Sequence, residues 1–119
     1  MARTKGTLFD PALYGGALDD AATNVTTTYL ISKDLDYVRC TAAGGAYTVT
    51  LPPVSSVPLG TTITIVKADA TANIITVAAS TVNGTDLING AATNTTALPS
   101  GSYGVLRLRA GAPLAWDIV

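Results

Sequence analysis

Apolar and polar residues alternate with a period of two along much of the chain from about residue 28 onward. Residues 47–51 read Tyr-Thr-Val-Thr-Leu, and residues 61–66 read Thr-Thr-Ile-Thr-Ile-Val. Such alternation is typical of β-strands that bury one face. Further strands are predicted at residues 28–31, 35–41, 74–79, 91–97, 103–109 and 114–119.

Proline, glycine and Asn-Gly pairs separate these strands. Pro52-Pro53 ends one strand, because proline cannot donate to a ladder. Asn83-Gly84 and Asn89-Gly90 have the signature of type I′ hairpin turns, and residues 67–73 are predicted to form a tight hairpin loop. Because no segment shows sustained helical periodicity, the sequence predicts an all-β fold. We expect a small sandwich or barrel of about seven or eight short antiparallel strands.

Residues 1–28 follow a different pattern, with glycines and a proline interrupting any regular element. They are predicted to form an extended N-terminal arm, and residues 29–119 to form the β domain. Several large apolar side chains in the arm have no periodic element in which to pack. The arm either docks on its own domain or reaches a neighbouring molecule. The large apolar residues are Phe9, Leu13, Tyr14 and Leu18.

The composition favours a protein that assembles with others. Only 13% of the 119 residues are charged, which is about half of average usage. A one-domain chain with so little charge is expected to bury much of its surface against copies of itself or a partner. The net charge of −1 provides no basic field for nucleic acid. No apolar run is long enough for a membrane span, and no signal peptide is evident.

The inventory of reactive side chains argues against an enzyme. The chain has no His and one Cys, so Ser-His-Asp, Cys-His and Cys/His zinc chemistry are not expected. The glycine pairs lack the strand-then-helix context of a phosphate-binding loop. The lone Cys40 is compatible with a reducing cytoplasm. We therefore expect no cofactor and no small-molecule substrate.

Two acidic pairs are candidate binding groups, each with an ordinary alternative. Asp34 and Asp36 flank a predicted turn and could hold a hard cation, although acids in turns more often serve local hydrogen bonds. Asp19-Asp20 could complement a basic patch on a partner, or form a solvated surface pair.

The last two strands supply candidate subunit contacts. Arg107 and Arg109 share one strand face, from which they could grip carboxylates across a subunit boundary or simply face solvent. Trp116 lies three residues from the C-terminus, so we expect it to be pinned into the core or a subunit interface. A sugar-stacking platform is a weaker alternative for the aromatic residues, which more often belong to a core. These are Tyr14, Tyr29, Tyr37, Tyr47, Tyr103 and Trp116.

The series of motifs from residue 46 to residue 119 resembles a β-module of bacteriophage virion proteins. Its marks are YTVTLPPV, LGTTITIVK, NIITVAA, two Asn-Gly pairs, and YGVLRL followed by AWDIV. Similar series occur in tail-fibre, head-fibre and capsid-decoration proteins, so the resemblance implies a trimeric β structure in a virion. One departure is the apolar final turn, residues 111–115, which suggests burial in an interface.

The resemblance and the short arm lead to one expected function. We expect a capsid decoration (cement) protein, made in the host cytoplasm, that binds the major capsid protein on the outer surface of a phage head as a homotrimer. The alternative is a fibre-type receptor- or glycan-binding module. The expected capsid contacts are Arg3, Lys5, Phe9, Leu13, Tyr14 and Leu18. The expected subunit contacts are Arg107, Arg109 and Trp116.

Overall fold

The computed structural model describes residues 23–82, 84–111 and 114–119, and most of the predicted arm lies outside these ranges. The described chain is all-β, with ten short strands and one turn of 3-10 helix at Val54–Ser56. The first six strands are β1 Thr23–Val25, β2 Tyr29–Leu30, β3 Tyr37–Cys40, β4 Tyr47–Thr50, β5 Thr62–Lys67 and β6 Ile75–Ala78. The last four are β7 Leu87–Ile88, β8 Thr93–Asn94, β9 Gly104–Gly111 and β10 Ala115–Ile118.

The strands form two sheets, and the chain passes from one sheet to the other at nearly every connection. The six-stranded sheet has the order β1-β3-β5-β9-β10-β7, and the four-stranded sheet has the order β2-β4-β6-β8. Strands β1, β3 and β5 are parallel to one another, as are β2, β4 and β6. The first six strands therefore make a coil in which each turn gives one strand to each sheet.

The prediction of an all-β fold is confirmed, but the prediction of purely antiparallel strands is wrong. Antiparallel pairing is confined to β5–β9, β9–β10 and β6–β8 among the described strands. The loop at residues 67–73 was expected to close a hairpin, yet it connects β5 to β6 in the other sheet. Alternation shows which face of a strand is buried and carries no information about its neighbour, so the pairing could not be derived from it.

The strand register aligns inward side chains across the sheet, both in the parallel β3–β5 pair and in the antiparallel β5–β9 pair. Val38 pairs with Ile65, which pairs with Leu106 in β9, and all three side chains are buried. In the other sheet, Val49 pairs with Val77, and both are buried in the same cluster. In β4, β5, β6 and β9 the buried face is therefore the apolar side of the alternating pattern, as alternation predicts. One core joins the two sheets because each contributes its apolar face to it.

The Asn89-Gly90 hairpin turn is also confirmed. Both residues have positive φ, 46° and 85°, as a type I′ turn requires. Ile88 and Ala91 exchange two backbone hydrogen bonds across it, at 2.6 and 2.9 Å. The other predicted turn includes Asn83, which lies outside the described residues.

An ion pair between a buried lysine and a partly exposed aspartate fastens the loops at one end of the coil. The side chain of Lys67 is fully buried, and its Nζ donates to the backbone oxygens of Thr71 at 2.8 Å and Ser102 at 3.2 Å. The Nζ also lies 3.6 Å from Oδ1 of Asp69. The other carboxylate oxygen of Asp69 accepts the backbone N–H of Ala42 at 2.7 Å. These contacts join three loops that are distant in sequence.

Trp116 is fully buried within the single chain, as expected. It lies in β10 between Ala110 of β9 and Ile88 of β7. Asn89 secures this last strand, because its backbone N–H donates to the oxygen of Trp116 and its side-chain oxygen accepts the N–H of Ile118, both at 2.9 Å. The indole N–H has no acceptor among the described residues.

Replacing the buried indole should greatly destabilise the fold. We expect Trp116→Ala to lower the free energy of unfolding by about 3–5 kcal/mol, because a large side chain leaves an unfilled cavity. Urea unfolding followed by circular dichroism at fixed protein concentration measures this, since the variant has lost the only Trp of the chain. Val82→Ala, at an exposed position away from the six-stranded sheet, is the control and should change stability by about 0.5 kcal/mol or less. Similar losses for both variants would contradict the assigned core.

The loop clamp should make stability depend on pH at the acidic end. Burial by itself would raise the pKa of Asp69, but hydrogen bonds from Ala42 and Thr71 and the nearby Lys67 ammonium lower the pKa overall. The stabilisation is therefore complete above the ordinary value of 3.8 and is lost as pH falls through the lower pKa of the folded state. Asp69→Asn should be less stable than wild type at pH 7, with a difference that shrinks below about pH 4. The exposed Asp34→Asn should show no such difference, and a pH-independent gap for Asp69→Asn would refute the clamp.

Candidate docking face

The outward side of the six-stranded sheet is the most distinctive surface of the described chain. Alternation in β9 creates it: Leu106 and Leu108 point into the core, while Val105, Arg107 and Arg109 are exposed. The outer face, as we call it, comprises the outward residues of β3, β5, β9 and the C-terminal strand. They are Tyr37, Arg39, Thr62, Thr64, Val66, Val105, Arg107, Arg109, Asp117 and Val119.

The strand register arranges these side chains in rows across the sheet. In one row Arg39 neighbours Val66, which neighbours Val105. The side chain of Val105 is 59% exposed, so this row presents a guanidinium beside exposed hydrocarbon.

A second row crosses the same strands one step further along. Tyr37 neighbours Thr64, which neighbours Arg107. The backbone N–H of Val119 donates to the oxygen of Arg107 at 3.0 Å and so extends this row to the C-terminus. Tyr37 is 37% exposed and Val119 is 54% exposed. Tyrosine, arginine and aliphatic side chains side by side are typical of the central part of a protein–protein interface.

The arginines of the outer face lack carboxylate partners. Within the described ranges, the Lys67–Asp69 pair is the one salt bridge. Asp117 stands opposite Arg109 in the register, yet the two side chains do not come within 4.0 Å. Arg39 donates to the side-chain oxygen of Asn24 at 3.3 Å, which is a neutral contact. The face therefore offers three guanidinium groups to whatever covers it.

The predicted subunit contacts are only partly brought together. Arg107 and Arg109 are exposed on the outer face, whereas Trp116 points into the core and has no exposed surface. Trp116 can therefore support an interface from beneath but cannot touch a second molecule in this conformation. The predicted capsid contacts all lie outside the described residues, as do Asp19-Asp20, and they stay predictions. These capsid contacts are Arg3, Lys5, Phe9, Leu13, Tyr14 and Leu18.

The acidic turn gains no support as a cation site. Asp34 and Asp36 are both exposed on either side of the half-buried Leu35. No group of three metal-binding side chains occurs anywhere in the part of the chain that the structure describes. A solvated turn accounts for this loop. The backbone N–H of Leu35 closes it by donating a hydrogen bond to the backbone oxygen of Ser32 at 3.1 Å.

The aromatic residues divide between core and surface. Tyr29 and Tyr47 pack against the core, and Trp116 lies within it. Tyr37 and Tyr103 are exposed. A sugar-stacking role is thus restricted, among the described aromatics, to the latter two residues.

Sequence reasoning missed the polar contacts that hold the connecting loops. A signal was present, because Lys67 follows Ile63 and Ile65 at an inward position of β5 and so should be buried. Asp86 gives a second example: it is buried, and its Oδ2 accepts the N–H of Val54 at 2.8 Å at the start of the 3-10 helix. A buried acid in a loop has no comparable periodicity to reveal it.

Comparison with known proteins adds no relative. No protein-family model matches the chain, and no curated protein matches it. Within the described ranges, no helix is both long and apolar enough to cross a membrane.

The lone thiol should be unreactive in the folded protein. Burial raises the pKa of Cys40 to about 11, even though a hydrogen bond with Tyr47 acts in the opposite direction. Because the thiolate is the reactive form, native protein at pH 8 should not react with a thiol reagent, while protein unfolded in guanidinium should react once per chain. The exposed Ser100→Cys variant is the positive control and should react once per chain without denaturant. Rapid labelling of native wild type would show that the core around Cys40 opens readily.

Proposed function

We propose that this chain is a structural protein of a bacteriophage virion, a decoration (cement) protein that binds the outer surface of the head as a homotrimer. Its partner is the major capsid protein, and it joins the shell after synthesis in the host cytoplasm. It needs no cofactor, small-molecule substrate, nucleic acid or membrane for this role. Binding depends on buried surface and involves no reaction.

The outer face is the observation that carries the proposal. It combines exposed tyrosine and valine with three arginines that have no carboxylate partner among the described residues. An exposed surface of this kind usually marks an interaction site, and parallel strands such as β1, β3 and β5 are usually covered on both faces. The virion-module resemblance of residues 46–119 agrees with self-association.

The proposal divides the contacts between two parts of the chain. The outer face, through Arg107 and Arg109, supplies the subunit contacts, with Trp116 holding β10 in place beneath it. The arm supplies the shell contacts through the four apolar and two basic side chains predicted above. Because Arg is enriched at interfaces and Lys is depleted, we expect Arg107 and Arg109 to contribute directly to binding.

The alternative is a fibre-type glycan-binding module. The exposed Tyr37 and Tyr103 favour it, because aromatic faces stack on sugar rings. Binding of the purified protein to a glycan array, with loss of that binding in Tyr37→Ala or Tyr103→Ala, would support this module over decoration.

Removing the arm should separate shell binding from assembly. We expect wild type to be a trimer by light scattering at micromolar concentration and to co-sediment with empty heads of the phage that encodes it. Deleting residues 2–18 should abolish co-sedimentation and leave the trimer and the β-type circular dichroism unchanged, because the deleted residues precede every described strand. The matched control, Leu59→Ala in an exposed loop, should bind as wild type does.

Two results would count against this proposal. A monomeric wild type would remove the trimer, and full occupancy of the heads by the deleted protein would move the shell contact from the arm to the β domain.

A further inference from the structure

We infer that Asn89 is a site of spontaneous chemical modification, at which the folded protein deamidates and so loosens its own C-terminal strand. This inference goes beyond the proposed function and does not depend on it. The chain contains five asparagines, and only Asn83 and Asn89 precede a glycine. Glycine has no side chain to shield its backbone nitrogen, which can therefore approach the preceding side-chain amide. Asn83 lies outside the described residues, whereas Asn89 and Gly90 are described and exposed to solvent.

The modification needs only water as a co-reactant. The backbone nitrogen of Gly90 gives up its proton to solvent and forms a bond to Cγ of Asn89. The Cγ–Nδ2 bond breaks as Nδ2 takes up a proton and leaves as ammonia, and the product is a cyclic imide. Water then adds to one of the two carbonyl carbons of the imide and reopens the ring. Opening at Cγ gives aspartate, and opening at the backbone carbonyl gives isoaspartate, in which the main chain runs through Cγ.

The hairpin turn can bring the two reacting groups together without unfolding. The N–H of Gly90 donates to no backbone oxygen of the described chain, so moving it breaks no ladder hydrogen bond. In a type I′ turn this nitrogen lies on the side of Asn89 away from Cβ. Rotation of the peptide plane between Asn89 and Gly90 gives a type II′ turn, in which ψ of Asn89 is about −120° and the nitrogen lies beside Cβ.

Most of the turn keeps its conformation during this rotation. The φ of Asn89 is 46°, and both turn types require a positive φ at this position. Only Gly90 must change the sign of its φ from the present 85°, and glycine adopts either sign readily. Both turn types connect the strands of a two-residue hairpin, so the paired Ile88 and Ala91 stay in place. The attack geometry is therefore accessible from the folded state.

The other three described asparagines are poor candidates. Each precedes a β-branched residue, whose side chain crowds the backbone nitrogen that would have to attack. They serve as internal references for the reaction at Asn89. These three are Asn24 before Val25, Asn73 before Ile74 and Asn94 before Thr95.

The same asparagine secures the C-terminal strand, so its modification has a structural consequence. Its backbone N–H donates to the oxygen of Trp116, and its side-chain oxygen accepts the N–H of Ile118, both at 2.9 Å. Aspartate keeps a side-chain oxygen for Ile118 and an unaltered backbone. Isoaspartate adds a carbon atom to the main chain, so the tight turn and these two hydrogen bonds cannot all keep their geometry. Conversion to isoaspartate therefore loosens β10 from β7, its neighbour at the edge of the sheet.

Peptide mapping of aged native protein tests the modification. Wild type is incubated at pH 8 in water labelled with heavy oxygen and then digested for mass spectrometry. We expect Asn89 to become a labelled carboxylate at least about tenfold faster than Asn24, Asn73 and Asn94, because glycine leaves the attacking nitrogen unshielded.

A matched variant and an unfolded sample complete this experiment. Gly90→Asn adds a Cβ where no atom lies within 4 Å, and asparagine tolerates positive φ, so the variant should fold and convert Asn89 at least about fivefold more slowly. No conversion of Asn89 in native wild type, under conditions that convert it in protein unfolded in guanidinium, would overturn the inference. Equal rates in wild type and Gly90→Asn would do the same.

Quenching of tryptophan fluorescence by acrylamide tests the effect on β10. An Asn83→Ser background removes the other Asn-Gly pair, and anion exchange then isolates protein converted at Asn89, which carries one more negative charge. Its single Trp116 should be quenched at least about twofold more strongly than in unconverted protein, because local opening exposes the indole. Asn89→Asp has the same charge with a normal backbone and should match unconverted protein. If converted protein is quenched no more than Asn89→Asp, the proposed loosening of β10 is wrong.

Discussion

The stacking of inward side chains from successive turns of the coil is the constraint on which the rest of this structure depends. Each turn is too short to enclose a core, so its apolar face is buried only when the next turn lies in register beside it. The column from Val38 through Ile65 to Leu106 shows the result, because it crosses three strands without a polar side chain. A slip of one residue would move every inward side chain to the outside.

The stack of parallel strands ends in antiparallel strands. Strand β9 pairs with β5 along six residues and turns back through β10, so the parallel coil is closed by a long hairpin. The buried Trp116 and the hydrogen bonds of Asn89 hold that hairpin in place. The same arrangement exposes Arg107 and Arg109, because the alternation that buries Leu106 and Leu108 must point their neighbours outward. Closure of the coil and formation of the outer face are thus two consequences of one strand.

The polar groups inside the fold serve its loops. Parallel strands need crossing connections, and those connections leave backbone N–H and C=O groups without ladder partners. Lys67 and Asp69 satisfy four of them at one end, and Asp86 satisfies another near the 3-10 helix. The hydroxyl of Tyr47 lies within 3.0 Å of the oxygens of Val25 and Thr41 and has the same role. The charged groups of the loops therefore stabilise the connections between strands, whereas the arginines of the outer face remain available to a partner.

The sequence by itself determined the fold class, most of the strands and the buried side of β4, β5, β6 and β9, because alternation is a local property of neighbouring residues. It did not predict β1, which lies within the expected arm, or the two-residue β7. It also determined the burial of Trp116, the turn at Asn89-Gly90, and the outward direction of Arg107 and Arg109. The tertiary structure alone decided that β3 lies beside β5 in place of β4, which overturned the antiparallel expectation. It also decided that Tyr37, Arg39 and Val105 share one surface, and that Lys67 meets Ser102. These contacts join residues that are far apart in sequence. They depend on how whole strands pack together to bury their apolar faces, and a local pattern of neighbouring residues does not contain that information.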